Sequence, residues 1–123
     1  MKAMAGAMII WALCVSLGWA GPADVVSVQV RRTGPDTYAF STTVRHEDEG
    51  WNHYADAWEV VAPDGSVLAT RVLYHPHENE QPFTRSLEDV KIPATIRKVT
   101  VRAHDSVHGY SGKAKTIVLP GDS

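Results

Sequence analysis

Sulfur-bearing residues are nearly absent from this 123-residue chain. Its single cysteine, Cys14, and all three methionines lie close to the N-terminus, at or before position 14. The rest of the sequence therefore offers no thiol for a disulfide or a nucleophile, and no ligand for a blue-copper or thioether metal site. A domain built from that remainder must take its stability from packing, because it has no covalent cross-links.

An excess of charge of either sign is also lacking. The chain has 12 Lys and Arg against 14 Asp and Glu, which gives a formal net charge of −2. No basic stripe runs along any segment, so the sequence does not predict contact with nucleic acid.

Long apolar runs are absent except for residues 3–19, which follow Lys2. Gly18-Trp19-Ala20 places small residues at the expected cleavage site. This pattern is typical of a secretory signal peptide and predicts cleavage before Gly21. Residues 1–20 are then the signal peptide, and residues 21–123 form one periplasmic or secreted domain that touches the membrane only through the signal segment before cleavage. A retained N-terminal anchor is the alternative.

Lipid attachment is disfavoured by the residue that precedes the lone cysteine. Leu13 stands immediately before Cys14, where the bacterial lipoprotein pattern requires a small residue. We therefore expect a domain that is released after export.

The remaining sequence alternates between apolar and polar residues in short segments separated by turn signals, and it lacks an amphipathic helix of useful length. This pattern predicts an all-β fold, a single seven-stranded antiparallel sandwich. The predicted strands are residues 24–32, 37–45, 54–62, 66–74, 83–90, 96–104 and 113–119.

Within these strands the apolar positions predict which side chains face the core. Trp58 is expected in the core opposite Val99 and Val101. The fifth strand is expected to be the weakest, because Arg85 interrupts its apolar face and should pair with an acidic neighbour, Glu88, Asp56 or Asp105. On the first strand, Val26, Val28 and Val30 are expected to share one face. The other expected inward residues are Tyr38, Phe40, Thr42, Val44, Val60 and Ala103.

Two resemblances support this fold. The segment from Ile92-Pro93 to Gly109-Tyr110-Ser111-Gly112 resembles the last strands of fibronectin type III domains, although Arg97 stands near the position of that family's corner tyrosine. The chain also resembles small exported bacterial proteins of unassigned function, through His75-Pro76-His77 and the Glu80 to Leu87 stretch. The first resemblance implies an immunoglobulin-like sandwich, and neither implies an activity.

All six histidines fall in three segments that follow alternate strands. Because successive antiparallel strands reverse direction, alternate loops lie at the same end of a sandwich. We therefore expect the three histidine-bearing loops to meet at one rim. Imidazole is the commonest transition-metal ligand in proteins, so this rim is a candidate metal site.

The strongest candidate ligands are His75 and His77, which flank a proline that keeps the segment extended, together with His104. The second group is His46, His53 and His108. Imidazole with carboxylate suits Zn²⁺, Cu²⁺ or Ni²⁺, and no other cofactor is predicted. The leading hypothesis is a small exported, non-enzymatic protein that binds one of these ions.

The alternative hypothesis is a module that binds another exported protein. Trp51, Tyr74 and Tyr110 near the same rim would be the anchors, since Trp and Tyr are favoured at binding surfaces. The histidines would then be structural or part of the partner-binding rim. Ser86, Ser106 and Ser111 lack a nucleophile elbow or comparable context, so no catalytic residue is predicted.

Overall fold

The computed structural model describes residues 21–48, 50–77 and 80–121, and within these ranges it contains seven β-strands. They confirm the all-β prediction. The proposed signal peptide, residues 1–20, lies outside the described residues. In the part of the chain that is described, no helix is long and apolar enough to cross a membrane. The strands are β1 (Asp24–Gly34), β2 (Thr37–Arg45), β3 (Ala55–Val61), β4 (Val67–Val72), β5 (Phe83–Lys91), β6 (Lys98–Asp105) and β7 (Lys115–Val118).

The strands form two antiparallel sheets that pack as a sandwich. One sheet has three strands in the order β1-β2-β5, and the other has four in the order β4-β3-β6-β7. Every hydrogen-bonded pair of strands is antiparallel. The side chains between the sheets form a single hydrophobic cluster around Trp58, Phe40 and Phe83, which are at most 1% exposed.

The alternation predicted for β2 and β6 is confirmed. On β2 the side chains at 38, 40, 42 and 44 are buried, and on β6 those at 99, 101 and 103 are buried. On β1, however, Val25 is fully buried and Val26 only partly, because a bulge between Val25 and Ser27 reverses the alternation there. The expectation that Val26 shares a face with Val28 and Val30 was therefore wrong, since Val25 joins them at the core.

The burial of Trp58 is confirmed, but Val99 and Val101 were wrongly expected to face it across the core. Strands β3 and β6 are adjacent in the same sheet, where Trp58 pairs with Ala103 and Val60 pairs with Val101. Val99 and Val101 therefore lie beside Trp58. The side chains that face it across the core belong to the other sheet, which contributes Phe40 and Phe83 to the cluster.

The predicted fifth strand is present as β5, and only Phe83 and Val90 of its side chains are buried. It spans nine residues and pairs with β2 from Phe83 to Lys91. The guanidinium of Arg85 contacts the carboxylate of Glu80, at 3.1 Å, and not the acidic residues expected from the sequence. Arg85 thus finds its partner in the preceding loop and does not interrupt the pairing of the strand.

One end of the sandwich carries the β2–β3, β4–β5 and β6–β7 connections, and we call it the loop end. The strand registers place it: Val44 at the end of β2 pairs with Phe83 at the start of β5, and Asp105 at the end of β6 pairs with Ala55 at the start of β3. Hydrogen bonds between loops hold this end together, because Gln81 accepts from the N–H of His46 and donates to the carbonyl of His77.

Candidate metal centre

Two buried polar side chains at the loop end continue the inward alternation of the strands that precede them. His46 follows Thr42 and Val44 of β2 at the same two-residue spacing and is 2% exposed. Asp105 follows Val101 and Ala103 of β6 and is fully buried. Because alternate residues of a strand share a face, both side chains lie on top of the hydrophobic core.

His53 reaches the same place from the start of β3. It stands two residues before the buried Ala55, which pairs with Asp105, and it is 8% exposed. The neighbouring residues tie its loop to the end of β6, since Tyr54 accepts a backbone hydrogen bond from Ser106 and donates one to the Ser106 hydroxyl. The pairing of β3 with β6 therefore fixes His53 beside Asp105.

His46, His53 and Asp105 form a compact group of three possible metal ligands among the described residues. The two Nε2 atoms of His46 and His53 are 3.3 Å apart. Asp105 Oδ2 lies 3.0 Å from Nε2 of His46 and 3.3 Å from Nε2 of His53. The three donor atoms are thus the corners of a nearly equilateral triangle.

Asp105 is ionised although it is fully buried. Burial alone would disfavour its charged form, but the backbone N–H groups of His108 and Val107 donate to Oδ1, and the rings of His108 and His53 approach Oδ2. Together these donors outweigh burial and lower the pKa of Asp105 to about 2. The group therefore contains a carboxylate at neutral pH.

Asp48, whose side chain is fully buried, orients His46 from the opposite side. Its Oδ1 lies 2.5 Å from Nδ1 of His46 and accepts from the backbone N–H of Ala55, while its Oδ2 accepts from the backbone N–H of His77. Burial opposes the ionisation of Asp48, but these donors lower its pKa. One carboxylate thereby connects the β2–β3 loop, the start of β3 and the β4–β5 loop.

The ring of His46 lies between two carboxylates. Burial by itself would lower the pKa of His46, but the hydrogen bonds and charges of Asp48 and Asp105 outweigh it and raise the pKa. With Nδ1 donating to Asp48, Nε2 faces the acceptor Oδ2 of Asp105. Two acceptors repel each other at 3.0 Å, so this arrangement requires either a proton or a metal ion at Nε2.

His108 stands at the open side of the group. Its Nδ1 is 3.1 Å from Asp105 Oδ2, and its ring centroid is 4.9 Å from that of His53. Its side chain is 35% exposed, whereas the side chains of His46 and Asp105 are fully buried. His108 is therefore the histidine through which solvent meets the group.

The other predicted ligands lie apart from this group. His77 is buried, and its ring stacks on that of Phe83 with 4.0 Å between the ring centroids. It contacts Asp48, through a backbone hydrogen bond and through Nδ1, which lies 3.9 Å from Oδ2. His75 is exposed, with its ring 4.9 Å from that of His77. The Nδ1 atom of His104 lies 2.5 Å from Asp56.

His104 belongs to a second polar cluster, which lies against Tyr110. The His104 ring is 4.7 Å from the Tyr110 ring, over which the guanidinium of Arg102 also packs. Arg102 in turn pairs with Glu59. Burial, followed by the hydrogen bond and charge of Glu59, raises the pKa of Tyr110 to about 12.

The proposed partner-binding aromatics differ in exposure. Trp51 is 66% exposed and Tyr74 is 74% exposed, in the β2–β3 and β4–β5 loops respectively. Tyr110 is 37% exposed and is held by Arg102 and His104. Trp51 and Tyr74 are thus available for contact at the loop end, while much of Tyr110 is already engaged.

The sequence predicted neither Asp48 nor Asp105 as a metal ligand. Asp105 was expected only as a possible partner of Arg85. It nevertheless stands two residues after Ala103 and so continues the inward series Val99, Val101 and Ala103. A carboxylate at a core-facing position needs partners, and that signal was present in the sequence. Asp48 carried no such signal, because it follows the last residue of β2 in a loop.

Comparison with known proteins gives a relative for this chain. A protein of Halomicrobium mukohataei named "Putative lipoprotein" is 41% identical over 95 residues, which cover 77% of this chain and 46% of the relative. This chain therefore spans less than half of the relative's length. No protein-family model matches the chain. No solved structure matches it either.

Proposed function

We propose that this protein is an exported, non-enzymatic binding protein that holds a transition-metal ion with His46, His53 and Asp105. The observation that carries the proposal is the triangle of donor atoms, with sides of 3.0, 3.3 and 3.3 Å. Ligand atoms at about 2.0–2.2 Å from a tetrahedral zinc ion stand roughly 3.3–3.6 Å apart. The triangle needs to expand by only a few tenths of an ångström to accept such an ion.

The surroundings of the triangle also suit a metal. Histidines that bind metals usually donate their second ring N–H to a carboxylate, which fixes the tautomer and makes the ligand more basic. Asp48 provides that acceptor for His46. Two imidazoles with one carboxylate favour Zn²⁺, Cu²⁺ or Ni²⁺ over Ca²⁺ or Mg²⁺, which prefer oxygen ligands.

The fourth position of a tetrahedral ion is available to His108 or to water, because the open side of the group lies at His108. His108 is the natural candidate, since its Nδ1 already approaches the same carboxylate oxygen as the other two imidazoles. Binding by His108 would close the site, which is the arrangement typical of metal sites without catalytic activity.

Export and the finer fold class are part of the same proposal. The name of the Halomicrobium relative and the apolar N-terminal run both support an exported protein, either periplasmic, secreted or anchored. The strand order β1-β2-β5 against β4-β3-β6-β7 supports a fibronectin type III-like sandwich. Such sandwiches carry binding sites in the loops at one end.

Metal titration of the exported protein tests the proposal. The protein is prepared without a histidine tag, stripped with a chelator and titrated calorimetrically with Zn²⁺, Cu²⁺ and Ni²⁺. We expect binding tighter than about 100 μM for at least one ion, roughly −5.5 kcal/mol. His53→Ala should weaken it by more than about 100-fold, because even a change to a residue that only orients a ligand costs about 10–100-fold.

His75→Ala is the matched control, since His75 is exposed and lies outside the triangle. It should bind the metal like the parent. Parent protein that binds none of the three ions, or equal weakening by His53→Ala and His75→Ala, would contradict the proposal. Circular dichroism shows whether each variant is folded.

A second candidate function is recognition of another exported protein, which the exposure of Trp51 and Tyr74 favours. Two large aromatics exposed on neighbouring loops are typical of binding anchors. Under this function, Trp51→Ala with Tyr74→Ala would abolish capture of a partner while leaving metal affinity unchanged. Crosslinking of the parent and the double variant in the exporting cell distinguishes the two functions.

A further inference from the structure

We propose that the seam between β4 and β5 binds a small oxyanion, at a site separate from the metal centre. The seam holds a cavity of about 110 Å³ lined by Arg71, Leu73, Tyr74, His75, His77 and Arg85. Arg71 of β4 bridges the seam by donating from Nε to the carbonyl of Ser86 on β5, at 3.0 Å. Since one water occupies about 30 Å³ in the liquid, the cavity has room for about four water-sized groups, enough for a small oxyanion.

The two arginines that line the cavity keep unused donors. In Arg71, Nε and Nη1 donate to backbone carbonyls, whereas Nη2 has no hydrogen-bond partner within the described residues. In Arg85, Nη1 and Nη2 donate to Thr84 and Glu80, whereas Nε has none in the same part of the chain. Guanidinium groups are the preferred partners of carboxylate, phosphate and sulfate.

His77 also lines the cavity with its ring. Its side chain is 4% exposed, and its Nδ1 is buried without a hydrogen-bond partner among the described residues. This nitrogen lies 3.9 Å from Oδ2 of Asp48, so the groups that would bind the oxyanion are the two guanidiniums. The ring is held in place by stacking on Phe83.

The local charge favours an anion and disfavours a cation. Two guanidinium groups line the cavity, and no carboxylate is among its lining residues. The nearby carboxylates are that of Glu80, which pairs with Arg85 and is 57% exposed, and that of Asp48, which lies 3.9 Å from Nδ1 of His77. Burial, together with the charges of Arg85 and His75, lowers the pKa of His77. The cavity therefore suits an oxyanion, and the same cations argue against a metal ion bound between His75 and His77.

The experiment titrates the metal-free exported protein with inorganic phosphate, followed by the NMR signals of the two arginine Nε–H groups. Parallel titrations use sulfate, acetate and chloride at matched ionic strength. We expect saturable shifts of both Nε–H signals with phosphate. Tighter binding of acetate than of phosphate and sulfate would identify a planar carboxylate as the natural ligand, and the reverse order a tetrahedral oxyanion.

Arg85→Gln should weaken phosphate binding by about tenfold or more, because it removes a charged hydrogen-bond donor. Arg31→Gln is the matched control. Arg31 lies on the opposite edge strand of the same sheet and also pairs with a surface glutamate, Glu88. Its substitution should leave phosphate affinity unchanged.

Three results would overturn the proposal: no saturation with any oxyanion, equal shifts with chloride, or equal weakening by the two arginine substitutions. The shifts in the parent protein decide the matter even if Arg85→Gln fails to fold. Because all titrations use metal-free protein, the result does not depend on whether the metal centre binds an ion.

Discussion

At the scale of single residues, the Asp105 carboxylate contacts most of the groups in the candidate metal centre. Its Oδ1 accepts two backbone N–H groups, and its Oδ2 faces three imidazoles, those of His46, His53 and His108. A carboxylate buried on top of a hydrophobic core is stable only with such partners. The same contacts that satisfy its charge also bring the imidazoles within reach of one metal ion.

Asp105→Asn is therefore expected to affect both stability and binding. Breaking a buried charged network by removing one partner typically costs roughly 3–5 kcal/mol, and the amide is a poor metal ligand. We expect a lower unfolding midpoint in urea and loss of Zn²⁺, Cu²⁺ and Ni²⁺ binding. A variant that keeps the parent affinity would remove Asp105 from the ligand set.

The raised pKa of His46 predicts the pH dependence of the metal-free protein. A group whose pKa is higher in the folded than in the unfolded state stabilises the fold at low pH. For His46 this contribution is fully present below the unfolded pKa of 6.5 and is lost as pH rises through the folded pKa. The lowered pKa of His77 acts oppositely, since its contribution is lost as pH falls through 6.5. Comparison of the parent with His46→Gln isolates the first effect.

The difference in unfolding free energy between parent and His46→Gln should shrink as pH increases above 6.5 in the presence of a chelator. Urea unfolding at several pH values measures it. A difference that stays constant or grows with pH would show that His46 is not held as an imidazolium between Asp48 and Asp105. In acid, the contributions of Asp48 and Asp105 should disappear as pH falls below about 4.

At the scale of strands, the pairing of β3 with β6 positions two of the three ligands of the metal centre. It places the start of β3, which leads from His53, beside the end of β6, which carries Asp105. The same pair contributes Trp58, Val60, Val99 and Val101 to the core directly beneath the ligands. Packing of these strands is thus a condition for the geometry of the site.

Trp58→Ala tests that dependence. Removing a fully buried tryptophan typically costs about 3–5 kcal/mol, a large share of the roughly 5–15 kcal/mol that stabilises a domain. We expect a much lower melting temperature. Trp51→Ala is the matched control, because Trp51 is 66% exposed and should melt like the parent. Equal melting of the two variants would contradict the register described for β3.

At the scale of the whole molecule, the loop end and the start of the domain lie together. Strand β1 begins at Asp24, which pairs with Arg45 next to His46. The described part of the chain therefore enters the sandwich near the candidate metal centre.

Intact-mass analysis of the exported protein decides between release and anchoring. The uncharged run of residues 3–19 and the small residues after it predict a mature protein that starts at Gly21. A mass that includes residues 1–20 would indicate a retained anchor. A mass that starts at Cys14 with added lipid would agree with the name of the Halomicrobium relative and contradict the inference from Leu13.

The sequence by itself determined the fold class and the location of most strands. Apolar alternation is a local property, set by which side of a strand each residue faces, so it is readable without knowledge of the partners. It predicted β2 with the bounds observed, Thr37–Arg45, and the buried series on β6. The direction reversal of successive strands was enough to predict that alternate loops share one end.

Tertiary structure decided which residues at that end come together. Five of the six histidines lie in loops, and His104 lies near the end of β6. The distances between their rings depend on strand neighbours, bulges and hydrogen bonds that link residues far apart in sequence. The pairing of Ala55 with Asp105 brings His53 to the centre, while the contact of His104 with Asp56 places that ring elsewhere. Such contacts depend on the register between strands, which local patterning cannot specify.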